Sequence, residues 1–234
     1  MPDLHVLRVF TTDDGSGGNP LGVFLAGAEV PPETRQANAA DIGFSETVFV
    51  DDAGTGRVQI FTPTVEMPVA GHPLVGTAWL LANRETAVSE LNPPAGAVPA
   101  RAEGEHAYVA GRPEWAPPFE WRELASAADV EALEGPPDGH DLIGLYAWEG
   151  NDRVRARVFP VRLGIAEDEA TGAAAVRLGA QLGRNLTTRQ GGGSIIEVRP
   201  RDDGMIEIGG RVVLDEVRPY APPGGSANSP KSST

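Results

Sequence analysis

The chain has 234 residues, and its 33 acidic against 19 basic side chains give a formal charge of −14. That length suits one large domain or two small ones with a real core. A surface so negative repels phosphate backbones and anionic lipid, so neither nucleic acid nor membrane is expected as a partner. The chain has no cysteine, which excludes disulfides, thiolate nucleophiles and thiol acid–base pairs. Its one lysine, Lys231, lies in a Gly/Ser/Pro-rich tail, leaving none in the body for a Schiff base or a phosphate loop. His5, His72, His106 and His140 are too scattered for ligand spacing, so no metal site is expected.

In chain order, Leu4–Phe10 reads as a strand rather than a signal peptide, and a cytoplasmic location is expected. After a loop at Asp13–Pro20, a second strand is predicted at Leu21–Leu25. Pro31-Pro32-Glu33 opens a helix that runs to about Asp41 and stops at Gly43. Phe44–Val50 is strand-like, and its period of two places Glu46 on one face with Phe44, Val48 and Val50. A strand follows at Arg57–Thr62. Gly71–Arg84 is apolar nearly all round, as befits a central buried helix. Short strands are expected at Ala87–Leu91, Ala97–Ala102 and His106–Ala110. Glu114–Phe119 marks a composition break and reads as a linker.

Beyond it, Ser126-Ala127-Ala128-Asp129 has the spacing of a capping box, opening a short helix that ends near Gly135. Strands at Asp141–Trp148 and Arg153–Phe159 precede a second small-residue helix from Ala170-Thr171-Gly172 to about Leu182. Gly191–Gly193 reads as a turn, with strands at Ile195–Arg199, Met205–Ile208 and Arg211–Arg218. From Ala221 the composition predicts a disordered tail. The two halves rhyme: each has a hairpin ending in Phe, then a loop with acidic residues, then a small-residue helix entered at a glycine, Gly71 or Gly172.

Unpaired amides and the dipole make each helix start a place for an anion, and Gly71 and Gly172 allow close approach of a ligand. The same glycines also suit tight helix packing. Glu46, among apolar neighbours, is a candidate general base, or else a strand-edge carboxylate paired or solvated. His72 at a helix start favours the neutral imidazole and could relay a proton, or be structural. Asp168 is either part of such a site or an N-terminal charge for the second helix. No G-x-S-x-G elbow and no dinucleotide fingerprint is present.

These segments together resemble the phenazine-biosynthesis isomerase family, the PhzF-like proteins. The likeness is carried by Asn19-Pro20, Glu46-Thr47 with Phe49, Phe61-Thr62-Pro63 through Glu66, Ala70-Gly71-His72-Pro73-Leu74-Val75-Gly76, and Glu167-Asp168 with Ala170-Thr171-Gly172. It spans about Leu4 to Val217. The resemblance implies an α+β fold like that of diaminopimelate epimerase, with two pseudo-symmetric halves, each a curved mixed sheet around a central helix. The division expected is 1–115, 116–220 and a tail at 221–234. It further implies a homodimer and a cofactor-free isomerase that moves a proton between carbons of a small carboxylate substrate. Glu46 would be the acid–base shuttle, with His72 and Asp168 assisting. Asn19, Gly71, Gly172 and Ala173 would bind the substrate. Two-thiol racemisation, used elsewhere in that fold, is excluded here. The chain departs from the family pattern at Glu169, where proline is usual, at Ala173, where serine is common, and at Gly191–Ser194, in place of an Arg-Pro-Ser type segment. These departures leave open a non-catalytic, small-anion-binding protein on the same fold.

Overall fold

The computed structural model describes residues 1–222. The expectation of a disordered tail from Ala221 therefore falls, beyond residue 222, outside the described residues. Fourteen strands and four α-helices follow one another as β1 (Asp3–Thr11), β2 (Asn19–Phe24), α1 (Pro32–Ile42), β3 (Glu46–Asp52), β4 (Arg57–Phe61), β5 (Glu66–Met67), α2 (Gly71–Ala82), β6 (Glu90–Leu91), β7 (Val98–Glu103) and β8 (His106–Gly111). The second half continues with β9 (Glu120–Glu123), α3 (Ala127–Glu131), β10 (Ile143–Trp148), β11 (Arg153–Phe159), α4 (Gly172–Leu182), β12 (Leu186–Gln190), β13 (Ser194–Pro200) and β14 (Ile206–Pro219).

Local chemistry accounts for the element ends. Pro32 starts α1, and Gly43 closes it in the left-handed conformation, φ 73°, its N–H donating to the Ala39 carbonyl. Ser126 caps α3 by accepting from the Asp129 amide, as its spacing predicts, although the helix ends at Glu131 rather than near Gly135.

The strands run hydrogen-bonded in the order β5-β4-β3-β2-β1-β14-β13-β12-β11-β10-β9, with β8, β7 and β6 branching from β14. Each half contains a parallel pair bridged by a helix: β2 and β3 by α1, β11 and β12 by α4. α2 packs on β1, β2, β3, β7, β8 and β14, whereas α4 packs on β13 and β14. Each of these two helices settles on its sheet through a glycine. A Cβ on Gly76 would come within 2.5 Å of Leu21 Cδ2, and one on Gly179 within 2.5 Å of Val198 Cγ1. A continuous core runs beneath both helices, from Leu7 and Val9 through Leu74 and Leu81 to Val176, Leu178 and Ile208.

Several expectations are corrected. Met205–Ile208 and Arg211–Arg218 are not two strands but the single β14. Gly209 and Gly210, which look like a break in the sequence, are demanded by neighbours on either side. A Cβ at Gly209 would lie 2.1 Å from the Tyr108 ring, and one at Gly210 would lie 2.7 Å from the Ile195 carbonyl oxygen. β14 pairs with β13 and β8 in its first part and with β1 in its second. Hydrogen bonding thus ties the end of the chain to strands on both sides of the 115/116 division. β12 is missed by the sequence because it buries polar residues, Thr188 and Gln190, on its inner side. Glu114–Phe119 is more than a linker, since Phe119 is buried and the segment forms part of a cavity wall.

His5 is buried on β1, its Nδ1 facing the Val23 carbonyl at 3.3 Å and its Nε2 facing Arg84 Nη2 at 3.2 Å. Burial above all, and then the Arg84 charge, hold the imidazole below its ordinary value of 6.5. The unfolded chain therefore takes up this proton first as pH falls below about 6.5, and the neutral imidazole's contribution to stability is progressively lost. Above that pH the contribution is constant. His5→Gln should flatten the part of the acid-side decline due to this group. Urea midpoints of the two proteins between pH 5 and 7.5 would check it, and parallel curves would contradict it.

Candidate active site

The N-termini of α2 and α4 meet. A Cβ on Gly71 would lie 3.3 Å from the Gly172 Cα, and one on Gly172 would lie 3.2 Å from the Gly71 Cα and from the His72 nitrogen. Ile208 of β14 packs under both glycines. Neither N-cap residue, Ala70 or Thr171, places a side chain on its helix start, and neither first turn holds an acid. The leading amides, those of Gly71 and His72 in one helix and of Gly172 and Ala173 in the other, have no acceptor within their own helices. Two positive dipole ends and their free donors thus converge on one place.

That place is a cavity of about 480 Å³, within the ~300–1,000 Å³ usual for small-molecule sites. Its wall includes Glu46, Gly71, His72, Asp168, Gly172 and Ala173. Apolar side chains make up much of the remainder, among them Val109, Trp115, Phe119, Val176 and Ile208. The sequence-derived set is therefore brought together, with one exception. Asn19 does not line the cavity. Its amide donates to Asp168 Oδ1 at 3.0 Å and to the Ala170 carbonyl at 3.1 Å, while its own oxygen accepts from Ser45 Oγ at 3.0 Å. It is buried and holds the Asp168 loop.

Glu46 is the first residue of β3, set beside Leu21 of β2. His72 is the second residue of α2. Glu46 Oε2 and His72 Nε2 are 3.5 Å apart, too long for a good hydrogen bond. Both atoms are buried and neither has a hydrogen-bond partner. Leaving buried polar atoms unpaired costs about 1–3 kcal/mol each.

Asp168 differs, because both its oxygens are engaged, Oδ1 by Asn19 and Oδ2 by the Thr171 hydroxyl at 2.7 Å. Gln190 of β12 donates to Thr171 Oγ1 and to the Asp168 carbonyl, both at 2.9 Å. Thr171 and Gln190 were not legible as site residues. Thr171 sat inside a noticed motif, whereas Gln190 lay in an unrecognised strand. Among the described residues no group of three or more His, Asp or Glu is placed to hold a metal ion.

The departures at Glu169 and Gly191–Ser194 form one unit. Glu169 Oε2 accepts from the Gly192 amide at 2.8 Å, and Oε1 accepts from Ser194 Oγ at 2.6 Å. Ser194 Oγ accepts in turn from the Gly18 amide at 2.9 Å. A Cβ on Gly191, whose φ is 54°, would strike Glu169 Oε2 at 2.3 Å. The clamp ties the β12–β13 turn to the β1–β2 loop beside the Asp168 network.

Residues 7–141 match the family model PhzC-PhzF, phenazine biosynthesis-like protein. The trans-2,3-dihydro-3-hydroxyanthranilate isomerase of Pseudomonas fluorescens is 30% identical over 210 residues, covering 72% of this chain and 75% of that protein. Among solved structures, a putative phenazine biosynthesis PhzC/PhzF protein from Clostridium difficile superposes with a TM-score of 0.79 at 20% identity, covering 94% of this chain and all of that one. A hydroxyproline epimerase from Agrobacterium vitis, with bound trans-4-hydroxy-L-proline, superposes with a TM-score of 0.58 at 12% identity, over 93% and 91% of the two chains. The fold is the α+β architecture that these isomerases and epimerases share. The chain belongs to the PhzC-PhzF family and is an isomerase.

Two substitutions probe this framework. Gly172→Ala pushes the helix starts apart and should cost about 1–3 kcal/mol by overpacking, read from chemical denaturation. An unchanged midpoint would contradict the contact. Ser194→Ala strands the Gly18 amide and one Glu169 oxygen. It should cost about 1–3 kcal/mol, with part of the loss gone in a Glu169→Ala background, where only the bond to the Gly18 amide is left to lose; equal losses in the two backgrounds would contradict the clamp.

Proposed function

We propose that the protein is a cofactor-independent isomerase of a small ring carboxylate, with Glu46 carrying a proton from one carbon to another. The observation that carries this reading is the unsatisfied, buried pair of Glu46 Oε2 and His72 Nε2, 3.5 Å apart and facing the cavity on which both helix starts converge. The four leading amides form a cradle for the substrate carboxylate, which supplies anion binding without lysine. Small acids suit relatives of this kind: one is a trans-2,3-dihydro-3-hydroxyanthranilate isomerase, and the hydroxyproline epimerase holds trans-4-hydroxy-L-proline.

In the first step the Glu46 carboxylate takes a proton from carbon. The C–H bond breaks, an O–H bond forms, and the electron pair moves into the conjugated system. Next, the carboxylic acid returns the same proton to a second carbon, restoring the carboxylate, so the net change is one shifted double bond. His72, its Nε2 beside Glu46, orients the shuttle and the substrate. Asp168, its position fixed by Asn19 and Thr171, steadies a donor group on the substrate through a lone pair those two bonds leave free.

Trans-2,3-dihydro-3-hydroxyanthranilate is the first acid to assay, followed by other unsaturated ring carboxylates. Conversion in deuterated water, followed by NMR for product and by mass spectrometry for label at carbon, should be lowered about 10²–10⁴-fold by Glu46→Gln. Unchanged turnover in that variant sinks the assignment. Binding of the acids with neither product nor label would favour the non-catalytic anion-binding reading instead.

A further inference from the structure

Every arginine among the described residues except one makes a hydrogen bond or an ion pair. In a chain with 33 acidic and 19 basic side chains such pairing is the expected condition. The exception is Arg112, and it is also the one arginine in the wall of the cavity. It follows the last residue of β8, and its guanidinium carbon lies 5.8 Å from the Trp115 ring centroid, near the outer limit of a cation–π contact. The ring thus flanks the head group without occupying its donors.

The rest of the wall makes this position unusual. Glu46, Glu114 and Asp168 all face the same space. Without Arg112 the cavity would carry three carboxylates and no permanent cation, a poor field for an anionic ligand. The backbone of Arg112 is also set apart from the amide cradle. Val109 pairs with Ile208, the residue on which Gly71 and Gly172 rest. Arg112 comes three residues after Val109, about 10 Å farther along at ~3.3 Å per residue. Apolar side chains, Trp115 and Phe119 among them, line the same cavity.

We propose that Arg112 is a specificity-determining residue that binds a second anionic group on the substrate, opposite the carboxylate held by the helix starts. The inference rests on the proposed carboxylate cradle and narrows its substrate class. The preferred ligand is a dianion with a flat apolar middle, its far end a carboxylate or a phosphate, which a guanidinium can grip through two parallel N–H donors.

The test uses a pair of probes of nearly one shape, terephthalate and its monomethyl ester, titrated into the intact protein by calorimetry. The wild type should bind the dianion at least tenfold more tightly than the ester. Arg112→Gln should bring that ratio close to one while leaving ester affinity within about twofold, and Arg112→Lys should restore part of it. Thermal midpoints of the two variants should match the wild type, since Arg112 contacts no other polar group. A ratio near one in the wild type, or a ratio that survives Arg112→Gln, overturns the role of Arg112 and leaves the cradle standing. Failure of both probes to bind the wild type counts against cradle and arginine together. Inorganic phosphate, added as a competitor, then separates the two far-end chemistries: relief of the dianion preference in the wild type alone assigns a phosphate to Arg112, and no relief assigns a carboxylate.

Discussion

The contact on which the site depends is that of two glycines. Gly71 and Gly172 let the starts of α2 and α4 approach until backbone touches backbone, with Ile208 as the floor. Any side chain there would wedge the two amide-rich ends apart, and the donors would no longer address one ligand. The placement of everything else follows from this. His72 is carried in as the second residue of α2, Ala173 as the second of α4, and Asp168 arrives on the loop immediately before that helix. The negative protein thereby acquires a local region of positive potential built from backbone alone.

The polar residues around this point divide into two kinds. Asp168 is saturated, each oxygen bound within a chain of Ser45, Asn19, Thr171 and Gln190 that crosses from one half of the molecule to the other. Glu46 and His72 are unsaturated and face each other across a gap slightly too wide to close. A preorganised frame holding an incomplete pair suits the acid–base role proposed for Glu46, with the substrate as the missing partner. Glu169 and Ser194 extend the frame outward to the β12–β13 turn.

Much of this was legible in the sequence, and what was not has identifiable physical reasons. The all-round apolar character of α2 and the glycine at its start announced a buried helix, and the period of two placed Glu46 correctly toward the interior. Asn19, expected as a ligand contact, bonds Asp168, Ala170 and Ser45, because a motif shows that a residue matters without showing which neighbours it touches. β12 was hidden by its buried Thr188 and Gln190, whose hydrogen bonds satisfy them inside and cancel the usual hydrophobic signal. Gly209-Gly210 looked like a break because crowding by Tyr108 and Phe10, distant in sequence, cannot be seen locally. Arg112, Trp115 and Phe119 were passed over within a proline-rich stretch that reads as a connection but folds into a wall.

The path of β14 has a consequence for how the molecule is made. β14, the last strand among the described residues, pairs with β1, the first, and with β8. Until β14 has been made, those two strands each present a bare edge whose backbone groups can recruit a neighbouring chain. A net charge of −14 sets copies of the chain to repel one another during that interval.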